Sequence, residues 1–425
     1  MPDRRDFLKT LTGAAATALI CQEALADMKS ALNEQGRGRS TAELVKDESF
    51  WVPIQRAFDL PPDFINLEHG YFSMMPTSTL ETFLDYSTAL NTKASYFMRN
   101  ERLDMLNAVR VRLADFGGCG ADEVAITRNT TESMNIVIQG LDLKSGDEVI
   151  VGDQDYGSMV EALRFREVHD GIVIKRVEVP LDPESDEEIV SAYRAAITPK
   201  TRLLHVTHLI NITGHVLPVR KVADMAHERG IDVLCDSAHA FAHVMFAIDD
   251  LGVDFMGTSL HKWLCTPLGL GMLYVKKSRI KDVKPLIGRV REPEDIRKLD
   301  TLGTQPYAAQ QSIPAAIDFH EAIGSELKQE RLRYLRNRWL GQVTDHPQIR
   351  FNSPRSHART CAIGNVGIHG MSPRELGDRL WDDYRIFTAP IGHSRVPGVR
   401  VSPHLCTRVE EIDQFAAAML EIAEG

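Results

Sequence analysis

The chain has 425 residues, and at roughly 100–200 residues per domain this length gives about two to four domains with a sizeable core, which excludes a small disulfide-stapled module. Hydrophobic residues make up 43% and charged residues 25% of the chain, a composition typical of a globular protein rather than a disordered or polytopic membrane protein. The formal net charge is −10, and because a surface of that sign repels phosphate backbones, we expect no nucleic-acid partner. The six cysteines form no CxxC pair, which indicates neither a zinc knuckle nor a disulfide framework.

The N-terminus has the pattern of an export signal. Arg4 and Arg5 precede a mildly apolar segment, Leu11–Ile20, and Ala24–Ala26 places small residues at the two positions that a signal peptidase reads. This order resembles a twin-arginine export signal, and the apolar segment is too short for a permanent membrane anchor. The alternative is a basic amphipathic first helix. We therefore expect residues 1–26 to be a twin-arginine signal peptide, the export machinery to be a partner, and the mature protein to be periplasmic.

From about residue 75 to 310, short β-rich segments alternate with helical patterns. The predicted strands are Glu123–Thr127, Asp147–Gly152, Ile172–Val179, Arg202–His208, Asp232–Asp236, Phe255–Ser259 and Gly269–Val275. Apolar residues recur at helical spacing between them, in Ser158–Val168, Asp186–Ala196 and Val219–Arg229. This alternation predicts a mostly parallel sheet covered by helices on both faces. In such sheets, ligands bind at the carboxyl ends of the strands.

Helical patterns dominate after about residue 311. They cover Ala315–Glu321, Glu326–Gln342 and Val409–Ala423, with a Pro/Gly/His-rich stretch before the last one. We therefore predict a large domain at residues 75–310 and a smaller C-terminal domain at residues 311–425. Residues 27–74 are expected to form an N-terminal segment that packs on the small domain.

Two strand ends carry groups suited to an anion and a flat ring. Thr130 and Thr131 follow a predicted strand and open a helix, where hydroxyls, free N–H groups and the helix dipole together favour an anion. The alternative is a plain helix cap made by one of these threonines. Tyr156 follows the next strand and could present a ring face to a planar ligand, or could simply pack.

Two further strand ends carry a carboxylate and a lysine. Asp236 follows an apolar strand, and a buried ionised carboxylate requires a cationic partner. Lys262 lies in the polar cluster Thr258–Trp263, before the glycine-rich Pro267–Gly271. Desolvation there would lower the lysine pKa toward nucleophilic use; the alternative is a solvated lysine in a turn.

One ligand satisfies all four places. Pyridoxal phosphate (PLP) offers a phosphate to the Thr-Thr turn and to Ser259 and His261, a flat ring to Tyr156, a pyridinium to Asp236 and an aldehyde to Lys262. Asp236 would keep the ring nitrogen protonated, and Lys262 would carry the cofactor as a Schiff base and later move protons at the substrate Cα.

These motifs resemble the class V aminotransferase family of fold-type I PLP enzymes, most of all its isopenicillin N epimerase-like branch, from Ile65–Gly70 to the last helix. The resemblance implies an α/β fold, with a large domain built on a mostly parallel seven-stranded sheet between helices and a smaller α+β C-terminal domain. It also implies a homodimer, because Gly303–Gln305, with Thr304, matches the segment that reaches the phosphate of the neighbouring subunit.

The resemblance assigns a role to each matching residue. For the cofactor, it implies phosphate binding by Thr130, Thr131, Ser259 and His261, ring stacking by Tyr156, ring contacts by Asn211, pairing of the ring nitrogen with Asp236, contact of His239 with the ring hydroxyl, and the covalent link at Lys262. Arg400 matches the arginine that grips the substrate α-carboxylate, a bidentate geometry that lysine does not provide.

Departures from the family pattern bear on the reaction. Cysteine desulfurases carry a nucleophilic cysteine shortly before that arginine, whereas residues 362–405 contain none and Cys406 follows Arg400. We therefore expect an exported PLP enzyme acting at the Cα of an amino-acid group, with epimerase-like chemistry. The alternatives are tailoring of a pyoverdine-type siderophore peptide, a C–S lyase, a transaminase, or a binding protein that has lost catalysis.

Two smaller questions concern arginine and histidine. Arg395 lies close to Arg400 in sequence and would either contact a second substrate carboxylate or be solvated. The additional histidines have spacings that form no ligand set, so no metal is expected; they are His69, His208, His215, His357 and His393.

Overall fold

A computed structural model describes residues 25–288 and 291–425. The expected signal sequence, apart from its last two residues, lies outside these ranges. The helices are residues 25–36 (α1), α2 Thr41–Leu44, α3 Glu48–Gln55, α4 Thr77–Lys93, α5 Ser95–Asn100, α6 Arg102–Gly117, α7 Thr130–Gly140, α8 Gly157–Asp170, α9 Asp186–Ala196, α10 Val219–His227, α11 Ile248–Leu251, α12 Tyr307–Gln311, α13 Ile313–Ile323, α14 Ser325–Val343, α15 Pro373–Tyr384 and α16 Val409–Glu424. The strands are β1 Ile65–Asn66, β2 Val124–Thr127, β3 Glu148–Gly152, β4 Val173–Val177, β5 Thr201–Thr207, β6 Asp232–Asp236, β7 Phe255–Ser259, β8 Gly271–Val275, β9 Ile349–Phe351, β10 Gly364–Ile368, β11 Ile386–Phe387, β12 Ala389–Ile391 and β13 Gly398–Val401.

The seven strands predicted between residues 123 and 275 form one sheet in the order β2-β8-β7-β6-β5-β3-β4. Only β8 runs antiparallel to its neighbours, β2 and β7, so the predicted, mostly parallel sheet is confirmed. Thr207 and Gly257 lie opposite Asp236 in the adjacent strands. The register therefore gathers polar strand ends along one edge of the sheet.

The sheet is buried on both faces, which explains its apolar strands. In β6, Val233 and Cys235 join one hydrophobic cluster, whereas Leu234 joins another. Successive side chains of a strand point to opposite faces, so these clusters are the two helix-covered layers. A strand buried on both faces reads as a continuous apolar run rather than an alternating one.

The C-terminal part contains a four-stranded antiparallel sheet in the order β12-β13-β10-β9. Its core packs against α14, α15 and α16, which confirms the predicted smaller α+β unit. These strands are three to five residues long and lie in the Pro/Gly/His-rich stretch, where periodicity gives little signal.

Residues 65–70 are attached to this C-terminal sheet. β1 pairs in parallel with β11 through Ile65 and Ile386. Beyond it, Ser402 N donates to Leu67 O at 2.7 Å and His69 N donates to Ser402 O at 3.2 Å. This pairing places the early segment beside β13, although more than 300 residues separate them in sequence.

The segment before β1 packs on α14. Arg331 is fully buried on α14, and its Nη1 donates to Glu48 Oε1 at 2.6 Å and to Val45 O at 2.8 Å. The Arg331 guanidinium also lies 5.0 Å from the ring centre of the buried Trp51. The domain boundaries proposed from sequence remain a prediction.

No helix within the described ranges is both long and apolar enough to cross a membrane.

Candidate active site

One cavity lies at the carboxyl ends of the parallel strands. Every site residue proposed from sequence lines it except Thr304: Thr130, Thr131, Tyr156, Asn211, Asp236, His239, Ser259, His261, Lys262 and Arg400. Gly70, Tyr71, Asn129, Thr207, Leu209 and Ala238 complete the lining. Residues far apart in sequence thus meet where parallel-sheet proteins bind their ligands.

The N-terminus of α7 forms the anion corner of the cavity. Thr130 N and Thr130 Oγ1 lie 2.9 and 2.7 Å from Ser259 Oγ at the end of β7. The cap of the helix is Asn129, whose Oδ1 accepts from Glu132 N at 2.9 Å, so the alternative of a capping threonine is wrong. A Cβ at Gly271 would lie 2.6 Å from Asn129 N. The absence of a side chain at Gly271 therefore allows the backbone at Asn129, just before α7, to approach β8.

His261 adds a buried imidazole to this corner. Its Nδ1 lies 3.0 Å from Leu270 O, and because a carbonyl only accepts, Nδ1 carries the proton of the neutral ring. Burial, together with the smaller effect of the Lys262 charge, lowers the pKa of His261 to about 4. A hydrogen bond from His261 Nε2 to an anion would therefore require proton uptake.

Asp236 ends β6 as a buried carboxylate, 3% exposed. Its Oδ1 accepts from Ala238 N at 2.9 Å, and burial raises its pKa, against the attraction of His205 and Lys262. A cation brought to this carboxylate would be paired in a low-dielectric place. A protonated pyridine nitrogen fits that requirement.

Asp155 and His205 form a buried pair next to Asp236. His205 Nδ1 lies 2.7 Å from Asp155 Oδ2, and Thr207 Oγ1 donates to Asp155 Oδ1 at 2.7 Å. Burial lowers the pKa of His205, but attraction to Asp155 and Asp236 outweighs it and raises that pKa above its ordinary value. This pair was missed from sequence, where its only signal was the position of Asp155 beside Tyr156 at the end of β3.

Lys262 lies in the turn after β7, with its Nζ 2.9 Å from His239 Nε2. Burial lowers the pKa of Lys262 to about 8, although attraction to Asp236 opposes this effect. An appreciable fraction of the amine is therefore neutral near neutral pH, as a nucleophile requires.

Arg400 projects from β13 into an ion pair with Glu68. Arg400 Nε lies 3.1 Å from Glu68 Oε2, and Arg400 Nη2 contacts Glu68 Oε1 at closer range. Arg400 Nη1 donates to Asn211 O at 3.3 Å. A Cβ at Gly70 would lie 3.0 Å from Arg400 Cζ, so this glycine makes room for the guanidinium. Glu68 was missed from sequence because its partner lies on a distant strand.

Two residues lie away from the cavity. Thr304 is exposed and does not line it, which leaves its expected action on a neighbouring subunit a prediction. Arg395 pairs with Asp153 and with Glu178, the latter at 3.2 Å. The Arg395 side chain is 31% exposed and is held by two acidic side chains that do not line the cavity, a position nearer to the expected solvated side chain than to a contact with substrate.

The donor set of the cavity fits PLP. Asp236 suits the ring nitrogen, Thr130 and Ser259 suit the phosphate, and the amine of Lys262 suits the aldehyde. Within the described ranges, no group of three or more His, Cys, Asp or Glu side chains is arranged for a metal ion.

Comparison with known proteins identifies the chain's relatives. Residues 72–415 match the family model described as aminotransferase class-V. The chain is 26% identical over 387 residues to isopenicillin N epimerase of Streptomyces clavuligerus, which covers 87% of this chain and 97% of that one. It is 25% identical over 394 residues to a probable cysteine desulfurase of Synechocystis sp., covering 84% and 90% of the two chains. A solved structure of C-DES with glycine covalently linked to the PLP cofactor superposes with a TM-score of 0.78 at 20% identity, covering 86% and 98%.

The fold and the cavity together define a PLP-dependent enzyme of fold type I. Because the family model spans most of the chain, this protein belongs to the class V aminotransferase family. Its relatives include epimerases and cysteine desulfurases, and a shared cofactor pocket does not determine which bond is broken.

Proposed function

We propose that this enzyme binds the amino group of an amino-acid unit and removes and returns the proton at its Cα, as in epimerisation. The observation that carries the proposal is the meeting of Lys262, Asp236 and Arg400 in one cavity that no cysteine lines within the described residues. The similarity to isopenicillin N epimerase, 26% identity over 87% of this chain, supports the same reaction class.

When bound, PLP supplies an aldehyde that condenses with amines and a ring that withdraws electrons from the bonds at Cα. Asp236 holds a proton on the ring nitrogen. Arg400 orients the substrate carboxylate, and the amine of Lys262, with its pKa lowered to about 8, takes the Cα proton and returns it. The phenols of Tyr71 and Tyr156 also line the cavity, so either could hold a proton for the other face of Cα.

The positions of the thiols disfavour cysteine desulfuration. Cys406 is buried, with its Sγ 3.8 Å from His69 Nε2, and burial raises its pKa well above the ordinary thiol value. Cys361 is also fully buried, with its pKa raised by burial to about 12. A desulfurase needs an accessible thiolate, and neither side chain lines the cavity.

We also propose that the enzyme is exported by the twin-arginine route, which carries folded proteins and so permits cofactor loading beforehand. Arg4, Arg5 and the following apolar segment support this proposal. A periplasmic location would favour a secreted peptide as substrate, such as a siderophore precursor. Cell fractionation tests the export: Arg4→Lys with Arg5→Lys should retain the protein in the cytoplasm, and an unchanged periplasmic fraction would refute it.

The reaction is tested by incubating the enzyme with amino acids and amino-terminal peptides in deuterated water. Deuterium at Cα with loss of optical purity supports epimerisation. Release of sulfide or pyruvate would indicate a lyase, and release of a keto acid a transaminase; either without Cα inversion overturns the proposed reaction.

The covalent site has an internal control. Lys328 is also fully buried, and burial lowers its pKa to about 8 as well, but it does not line the cavity. Borohydride reduction should therefore attach the cofactor to the Lys262 peptide and not to the Lys328 peptide. A colourless protein that fails to bind added PLP would leave only the binding-protein alternative.

A further inference from the structure

Trp263 directly follows Lys262, and its side chain is completely buried. Its Nε1 lies 3.3 Å from His239 Nδ1. The indole stacks on His243 with ring centres 3.6 Å apart and planes 11° from parallel. Its backbone carbonyl accepts from Lys328 Nζ at 2.6 Å. The stacking and the backbone contact therefore fix the direction of the indole N–H.

This N–H determines the tautomer of His239. An indole nitrogen only donates, so His239 Nδ1 must accept and the proton of the neutral ring must reside on Nε2. Burial lowers the pKa of His239 well below its ordinary value, which agrees with a neutral ring. The Nε2–H then faces Lys262 Nζ at 2.9 Å, and an amine accepts this hydrogen bond only when it is unprotonated.

We propose that Trp263 is a positioning residue: its indole N–H locks His239 as a hydrogen-bond donor to Lys262 and so favours the neutral, nucleophilic form of that lysine. Without the indole, His239 can carry its proton on Nδ1 and offer the Nε2 lone pair to an ammonium. The proposal rests on the proposed function only in that the neutral amine of Lys262 is taken to react with the cofactor and the substrate.

Other groups also act on the charge of Lys262. Asp236 and Glu68 favour the ammonium, whereas burial and Arg400 disfavour it. His261, which precedes Lys262 in sequence and also lines the cavity, is held neutral by burial. Trp263 carries no charge, so its replacement leaves these Coulomb interactions in place and isolates the effect of the hydrogen bond.

The test measures the pKa of Lys262 in the full chain after the cofactor is removed with hydroxylamine. The rate at which an amine-reactive acylating reagent labels the Lys262 peptide is followed by mass spectrometry as a function of pH. Trp263→Phe retains an aromatic ring but removes the donor. We expect it to raise the Lys262 pKa by about one unit, the size of one hydrogen bond.

Trp51→Phe is the matched control, because Trp51 is equally buried and its Nε1 donates to Leu44 O at 2.9 Å, away from the cavity. It should leave the Lys262 pKa unchanged. The second arm is a double-mutant cycle: in a His239→Phe background, Trp263→Phe should produce no further shift. An unchanged pKa in the single variant, or an equal shift in both backgrounds, overturns the proposal.

A second measurement applies even if Trp263→Phe fails to fold. In ¹⁵N-histidine NMR spectra of the wild type, the His239 signal, assigned by its loss in His239→Phe, should show a neutral ring protonated at Nε2. A proton on Nδ1 overturns the proposal. Both measurements are made without PLP, so a failure of the proposed function would not alter them.

Discussion

The carboxylate of Glu68 forms a two-point ion pair with the guanidinium of Arg400, and Ser402 Oγ donates to Glu68 Oε2 at 3.2 Å. Both charged side chains are more than nine-tenths buried. The arginine expected to grip a substrate carboxylate therefore already has an anionic partner. A substrate must either share the guanidinium with Glu68 or displace it.

Neutralising Glu68 should destabilise the free enzyme and strengthen its response to anionic substrates. Glu68→Gln leaves the buried Arg400 charge uncompensated, which costs about 3 kcal/mol of stability and lowers the Tm. An added amino acid should recover the lost stability, because its carboxylate pairs with Arg400. Ser402→Ala is the control, because it removes only a neutral donor. Thermal melts with and without amino acid check this prediction, and an equal ligand-induced shift in wild type and Glu68→Gln contradicts it.

The rate of covalent cofactor attachment should depend on pH in one direction. Because burial lowers the pKa of Lys262 to about 8, the reactive neutral amine is the minor form below that pH. The attachment rate should rise about tenfold per pH unit up to about pH 8 and level off above it. Stopped-flow absorbance after mixing with PLP measures this rate. Continued growth of the rate to pH 10 would indicate an ordinary, solvated lysine.

Removing the charge of Asp236 should shift that profile to lower pH. The attraction of this carboxylate raises the Lys262 pKa against the effect of burial, so Asp236→Asn should lower the pH at which the attachment rate levels off. It should also weaken cofactor binding, because the ring nitrogen loses its acidic partner. Equilibrium dialysis measures the affinity. A plateau moved to higher pH would contradict the assigned electrostatics.

Anion binding should draw a proton onto His261. Its Nδ1–H is bound to Leu270 O and its pKa is lowered to about 4, so the free ring is neutral at pH 6.5 and gains a proton when an anion faces Nε2. Sulfate is the probe, because it does not titrate near neutral pH. Calorimetry in buffers of different ionisation enthalpy should show proton uptake that His261→Asn abolishes. Equal uptake by both proteins would assign the proton elsewhere.

We expect a homodimer in which Thr304 completes the site of the neighbouring subunit; in its own chain Thr304 is exposed and does not line the cavity. Lys262→Ala and Thr304→Arg homodimers should both be inactive. Mixed dimers should regain activity, because one of their two sites contains an intact lysine and an intact threonine. An active Thr304→Arg homodimer would show that Thr304 has no role in the site, and inactive mixed dimers after subunit exchange would show that it acts within its own chain.

The large sheet was predictable because its strands are apolar, regularly spaced and followed by helical patterns, and the polar residues at their ends could be assigned to one cavity on chemical grounds. The Glu68–Arg400 and Asp155–His205 pairs were not predictable, because each joins segments whose approach depends on sheet pairing rather than on local pattern. The alternative of a capping threonine was wrong, and sequence could not locate the cap because three consecutive residues, Asn129 to Thr131, all favour capping. The strands of the C-terminal sheet were too short for periodicity to locate.

The pairing of β1 with β11 has a mechanical consequence for substrate entry. Leu67 and His69 are hydrogen-bonded to Ser402, so the backbone that carries Glu68 is attached to the C-terminal sheet that carries Arg400. If the C-terminal sheet tilts relative to the large sheet, Arg400 and Glu68 move together and the distance between them stays unchanged. A rigid-body tilt therefore cannot release the arginine, and an arriving carboxylate has to compete for the guanidinium directly.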